Sequence, residues 1–132
     1  MKMTYNEAFR LFQGLNQVGD LKGNLKFAVA VARNKTKLRE ELEVVEEKSK
    51  PDNDFIEAFK DMTGAEISGI KEAGKDKTKI ALIETREKQI EEYKDFLEGE
   101  FSINLKRIEE SCFPQDLTAN QIELIEPIIK WA

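Results

Sequence analysis

The residues between Asp20 and Lys50 constrain the fold of this chain more than any other stretch. After a predicted corner at Asp20–Asn24, neither glycine nor proline occurs until Pro51, which cannot continue a helix. About 26 helical residues would span about 40 Å, more than the width of a small domain. The first half is apolar nearly all round, so we expect this helix to be a central rod that several neighbours bury.

Charges are segregated along this predicted helix. Six basic and no acidic residues lie between Leu21 and Arg39, whereas Glu40–Glu47 contains five acidic and no basic residues. The dipole of a helix favours the opposite order. Three interpretations fit this pattern: a solvated face, antiparallel pairing with a second copy of the chain, and a site for an anion such as a phosphate or an acidic protein surface.

The basic half of this helix is the candidate binding site. At about 100° per residue four of its cations, Lys22, Lys26, Arg33 and Lys37, form a single stripe on one side of the helix. Four cations near the start of a helix can hold a phosphorylated ligand. The predicted anion-binding residues are Lys22, Lys26, Arg33, Lys37 and Asn34.

The amino-acid content argues against most kinds of catalysis. Histidine is absent and Cys112 is the only cysteine, so the usual general base, the imidazole-activated nucleophiles and thiolate zinc sites cannot be built. We therefore predict no enzyme, no metal and no cofactor, and we expect Cys112 to be a small buried apolar residue. The acidic clusters are typical of solvated helical faces, and a net charge of −5 argues against broad binding to nucleic acid.

Length and hydropathy predict a single helical domain over 1–132. The chain is 40% hydrophobic and 36% charged, as in soluble helical proteins. Its longest apolar run, Phe27–Ala32, is far too short to span a membrane, and no apolar signal core follows Lys2. We therefore expect the protein to stay in the cytoplasm where it is made.

Local signals predict the remaining helices. Thr4 and Glu7 have the spacing of a capping box, which predicts a helix over 4–18. A short helix follows Pro51, and residues 84–97 are again helical. Residues 64–78 are predicted to be the least ordered part, with a helical continuation as the alternative. The second capping box, from Thr118 to Gln121, predicts an apolar C-terminal helix that reaches Trp131 and bends at Pro127.

Two short segments have the character of strands. Residues 101–106 alternate between apolar and polar, and the apolar run 79–83 can either start a helix or pair with them as a strand. The other available partner is the same strand in another subunit. The predicted fold is therefore mainly α, a helical domain around one long central helix, with a minor two-stranded β element near 79–83 and 101–108.

Two parts of the chain resemble a family of small proteins of unknown function that tailed phages and prophages encode. The resemblance covers about two thirds of the chain and leaves out residues 61–80. The stretches that carry it are Gly14–Gln17, Leu25–Asn34 with Leu38, Leu42 and Glu46–Glu47, then Glu100–Ile108, Asp116–Thr118 and Ile122–Ile129.

This resemblance implies a protein that acts in the cytoplasm of an infected bacterium. Together with the missing catalytic groups, it predicts a non-enzymatic binding protein that acts on a host component, as a homo-oligomer and without a membrane. Such a protein can sequester a small anionic ligand, for instance a nucleotide signal, or block a host defence protein. The alternative is a virion or assembly protein.

Overall fold

A computed structural model describes residues 1–131 of the chain. The α-helices are α1 (Tyr5–Val18), α2 (Leu25–Ser49), α3 (Asn53–Ala58), α4 (Gly64–Ala73), α5 (Lys77–Leu97) and α6 (Ala119–Ile125). The strands are β1 (Lys2–Thr4), β2 (Glu100–Ser102), β3 (Ile108–Glu109) and β4 (Ile129–Lys130). The prediction of a mainly α fold with a minor β element is confirmed.

The contacts divide the chain into two compact units. The first contains Met1–Val45 and the segment from Leu97 onward, and the second contains Glu46–Phe96. The single helical domain over 1–132 stays a prediction, and Ala132 lies outside the described residues. Within residues 1–131, no helix combines the length and the apolar character that a membrane span requires.

The long helix α2 begins and ends where its local signals predict. The Asn24 side chain accepts a hydrogen bond from the Phe27 amide over 3.0 Å, which caps the first turn. The helix ends at Ser49, two residues before Pro51. One face of it enters the core through Phe27, Ala30, Val31, Asn34, Leu38, Leu42 and Val45.

The opposite flank of α2 is uncovered, so the expectation that several neighbours bury the helix is wrong. Leu25 is 79% exposed, and Ala28 and Ala32 are also exposed. The core of the first unit touches only the face that carries Phe27 and Leu38. Apolar residues on every side of a helix therefore do not imply that other elements pack against every side of it.

The core of the first unit joins α1 and α2 to the C-terminal segment. Leu11, Leu15 and Val18 of α1 are almost fully buried, as are Ile125 and Ile128. Helix α6 packs closely against α1 at Gly14, where an added Cβ atom would lie 2.7 Å from Leu124 Cβ. Helix α1 starts with the predicted capping box. The side chains of Thr4 and Glu7 each accept a hydrogen bond from the backbone amide of the other residue at 3.1 Å.

The predicted β element is confirmed near 101–108, where β2 and β3 lie, but its predicted partner at 79–83 is not a strand. Strand β2 pairs antiparallel with β1, with Met3 opposite Phe101, and β3 pairs in parallel with β4, with Ile108 opposite Ile129. Residues 79–83 are not a strand but belong to α5. The Asp76 side chain explains why these residues are helical. It accepts a hydrogen bond from the Lys79 amide at 3.1 Å and so caps a helix that starts ahead of the apolar run.

Residues between β2 and β3 keep the alternation of a strand, although the pairing with the N-terminal segment goes no further than the Ile103 amide, which donates to the Met1 carbonyl at 2.9 Å. Ile103 and Leu105 are buried while Asn104 and Lys106 are exposed, as the period of two predicts. Side chains of α2 take the place of a neighbouring strand. Asn34 binds the Lys106 backbone, and the Lys37 ammonium group donates to the Asn104 carbonyl.

The C-terminal helix is shorter than predicted. Helix α6 ends at Ile125, a 3-10 turn covers Glu126–Ile128, and Ile129–Lys130 forms β4. Pro127 lacks an amide hydrogen, which favours the end of the helix rather than a bend in it. Ile128 and Ile129 are nevertheless buried, so the apolar residues find a core by a different backbone path.

The second capping box provides a test of how much a cap stabilises the first unit. The Thr118 side chain accepts a hydrogen bond from the Gln121 backbone amide at 3.2 Å, and the Gln121 side chain accepts one from the Thr118 backbone amide at 3.0 Å. We expect Thr118→Ala to lower the free energy of unfolding by about 1 kcal/mol, measured by urea denaturation. In the control Thr36→Ala, an exposed hydroxyl bonded to its own helix is lost, and the expected change is below about 0.5 kcal/mol. Equal effects of both substitutions would contradict the role of the cap.

The second unit is built from α3, α4 and most of α5. Residues 64–73, for which the sequence left a helix open as the alternative to the least ordered part, form α4. Thr63 caps its start and Gly74 ends it with a left-handed backbone conformation. Lys71 donates to Glu87 of α5 at 2.6 Å, and this hydrogen bond raises the pKa of Lys71. Phe59 and Ile83 are the buried apolar residues described in this unit.

Candidate functional site

A cavity of about 410 Å³ in the first unit lies beside the first turns of α2. The first half of α2 forms one wall, and the segment from Lys106 to Glu109 with Cys112 and Lys130 forms the other. Its apolar lining residues are Leu25, Val29, Ala30, Ile108 and Cys112.

The polar lining of this cavity is strongly basic. Five cationic side chains and a single carboxylate, that of Glu109, line it: the cations are Lys26, Arg33, Lys106, Arg107 and Lys130. Across residues 1–131, none of these cations forms a salt bridge with a carboxylate. A local excess of positive charge therefore exists in a chain whose net charge is −5.

The helix dipole adds to this positive potential. Lys26 and Val29 belong to the first turns of α2, where the positive end of the dipole lies. The first turn of α2 contains no acidic residue that would offset it. Cations at this end of a helix are unfavourable for the helix itself, and a bound anion would relieve that cost.

Asn34 holds the two walls of the cavity together. Its amide nitrogen donates to the Lys106 carbonyl at 2.9 Å, and its amide oxygen accepts the Lys106 amide at 2.8 Å. The side chain is completely buried. The nitrogen and the oxygen of the Asn34 side chain are therefore both hydrogen-bonded to the backbone of a residue 72 positions away in the sequence.

Two further contacts position the second wall. The Arg107 guanidinium donates to the Ile129 carbonyl at 3.3 Å, and the pairing of β3 with β4 places Glu109 opposite Lys130. The Lys37 contact with the Asn104 carbonyl secures the approach to this wall. The basic side chains thus come from a backbone that packing and hydrogen bonds hold in place.

The structure brings together only part of the predicted anion site. Lys26 and Arg33 both line the cavity, whereas Lys22, Lys37 and Asn34 do not. Lys22 lies in the corner before α2 and so does not belong to the helical stripe. Asn34 instead binds the backbone of Lys106 in the opposite wall, and Lys37 donates to the Asn104 carbonyl beside that wall. Their role as ligand contacts stays a prediction.

Three cations of the cavity were absent from the sequence prediction. Lys106 and Arg107 stand side by side at the end of an alternating segment, and this pair was the one signal that the sequence offered for them. Lys130 gives no such signal, because only the pairing of β4 with β3 brings it to the cavity. The site joins residues that are more than 70 positions apart.

The remaining chemistry of the cavity is limited. Cys112 is a free, buried cysteine in the apolar part of the lining, in agreement with its predicted role as a core residue. Among the described residues, no three carboxylate or thiolate side chains lie together in a way that would hold a metal ion. The arrangement can attract and orient negative charge.

Comparison of the chain with protein-family models, with curated proteins and with solved structures finds no match. The resemblance to small phage proteins therefore stays a prediction.

Proposed function

We propose that this chain is a non-enzymatic binding protein whose basic cavity takes a small anionic ligand. The observation that carries the proposal is the set of five cations around an apolar lining, none of which forms a salt bridge with a carboxylate of residues 1–131. Hydrogen bonds between cationic side chains and phosphate or carboxylate oxygens are among the strongest that proteins form in water. Small-molecule sites commonly combine such groups with a concave apolar surface.

The lining favours a ligand with more than one negative charge. Arginine side chains such as Arg33 and Arg107 bind phosphate oxygens with two parallel hydrogen bonds, and lysines add point charges. No aromatic side chain lines the cavity as described, so a nucleobase would have no ring on which to stack. Phosphates would therefore supply most of the affinity, and the Glu109 carboxylate could accept a hydrogen bond from a hydroxyl or amino group.

A cavity of this volume, at about 410 Å³, is within the usual range of sites for small molecules. A nucleotide that signals infection in a bacterial host has the required charge and size. If the phage resemblance holds, sequestering such a signal is the role we propose, with the blocking of a host defence protein as the other form of the same binding function.

The first test is the binding of a fluorescent trinitrophenyl-ATP probe, with inorganic pyrophosphate as competitor. The double variant Lys26→Glu, Arg33→Glu should weaken probe binding by about 100-fold, because each charge-assisted contact contributes about 1.5 kcal/mol or more. Circular dichroism should show an unchanged helix content, since both side chains are exposed.

A matched control separates this site from general electrostatics. Lys22→Glu, Lys60→Glu makes the same change in net charge at exposed lysines that do not line the cavity. We expect this control to change affinity by less than about threefold. Equal losses in both double variants, or no binding of either anion to the unaltered protein, would count against the proposal.

A further inference from the structure

The uncovered side of α2 is a long helical face that the first unit leaves in solvent. Val44 is 57% exposed and Val29 is partly exposed, and the charged residues Arg33 and Glu40 between them are exposed. Arg33 and Glu40 lie on this face, and neither makes a salt bridge in the described part of the chain.

A charge series with a spacing of seven residues runs along this face. Its members Lys26, Arg33, Glu40 and Glu47 read positive, positive, negative, negative. Seven residues are close to two turns of an α-helix, so the four side chains lie on one side. Together with Val29 and Val44 they span about 60° of the helix circumference.

This series is complementary to itself when a second copy runs in the opposite direction. A two-fold axis between Thr36 and Lys37 places Arg33 opposite Glu40 of the second copy, and the axis repeats this pair. The same register places Val29 opposite Val44 of the second copy. Opposite charges and apolar groups therefore meet at equivalent positions, as a symmetric interface requires.

We propose that α2 is the self-association surface of this protein and pairs antiparallel with α2 of a second copy. The central part of the surface, residues 29–44, lies within the first unit. At the ends of the surface, Lys26 contacts Glu47 of the second copy. Glu47 already forms an exposed salt bridge with Lys50 at 2.8 Å, so this contact replaces one exposed ion pair by another. Four ion pairs and two valine contacts form in total.

The association is expected to be weak and dependent on salt. Exposed ion pairs contribute little each and are screened by ions, and a single helix pair buries less area than a permanent dimer. Lys26, Val29 and Arg33 belong both to this face and to the cavity. A bound anion should therefore compete with the second copy, a consequence that rests on the proposed function, whereas the pairing itself does not.

Sedimentation velocity of the full chain tests the pairing at protein concentrations from about 5 to 500 µM, a range that separates a weak dimer from a monomer. We expect a monomer–dimer equilibrium that shifts toward monomer between about 50 and 500 mM salt. Glu40→Lys should weaken the association by about tenfold or more, because it replaces two attractive contacts by repulsive ones.

The charge-swapped variant Arg33→Glu, Glu40→Arg should restore the dimer, since the register pairs these two positions with each other. Glu46→Lys is the matched control: the residue is exposed on the same helix, about 120° from Glu40, and its substitution should leave the association unchanged. Glu40 does not line the cavity, so Glu40→Lys should leave binding of the trinitrophenyl-ATP probe intact, whereas the swapped variant should weaken it about tenfold because Arg33 is reversed.

A monomer at every concentration would overturn the inference. A dimer that withstands Glu40→Lys would also overturn it, and so would a folded swapped variant that stays monomeric. Failure of the anion site alone would show instead as absent probe binding in both the unaltered protein and Glu40→Lys, with the dimer preserved.

Discussion

Asn34→Leu should lower the free energy of unfolding of the first unit by about 2–3 kcal/mol. Leucine has the same number and branching of side-chain heavy atoms as asparagine, but it can neither donate a hydrogen bond to the Lys106 carbonyl nor accept one from the Lys106 amide. Two backbone groups would then lack their partners at a partly buried position. Urea denaturation measures the loss, and hydrogen exchange of the Lys106 amide reports it locally.

Asn104→Leu is the appropriate control for this substitution. Asn104 lies on the same segment, but it is exposed and contributes its backbone carbonyl, not its side chain, to the contact with Lys37. We expect a change below about 0.5 kcal/mol. Comparable losses at the two positions, or a Lys106 amide that stays protected in Asn34→Leu, would contradict the role assigned to Asn34.

Gly14→Ala should destabilise the first unit by about 2 kcal/mol, although alanine is the better helix former. A Cβ atom at this position would lie 2.7 Å from Leu124 Cβ and 3.0 Å from Ile125 Cγ2. Helices α1 and α6 would have to move apart, and the packing around Ile125 would be lost. Urea denaturation followed by circular dichroism measures the effect.

Gly69→Ala provides a comparison with the opposite expected sign. Gly69 lies in the interior of α4, and no atom lies within 4 Å of the added Cβ. Alanine should therefore stabilise that helix by about 0.5–1 kcal/mol. If both substitutions stabilise the protein, the close approach of α1 and α6 at Gly14 does not limit the fold.

Local sequence signals predicted the helices well where a cap or a proline marks the end. The boundaries of α2 follow from Asn24 and Pro51, and the starts of α1 and α6 follow from capping boxes that need only residues three positions apart. At residues 79–83 the apolar run fitted either a helix or a strand, and the cap at Asp76 starts the helix.

Only part of the candidate site could be predicted from the sequence. Lys26 and Arg33 follow from the helical wheel, because their spacing alone places them on one side of α2. Lys106, Arg107 and Lys130 join them through β3, β4 and the Asn34 contact, none of which a pattern along the chain indicates. The role of Asn34 likewise depends on the Lys106 backbone, which its side chain contacts only in the folded chain.

The sequence by itself determined the mainly helical character, the length of α2, the basic half of that helix and the absence of histidine chemistry. These depend on neighbours within about one or two helical turns and on composition. Only the tertiary structure decided which flank of α2 is buried, which strand pairs with β2 and which cations share a cavity. Those outcomes depend on contacts between residues far apart in the chain, whose energies reflect mutual fit, and no local pattern encodes such fit.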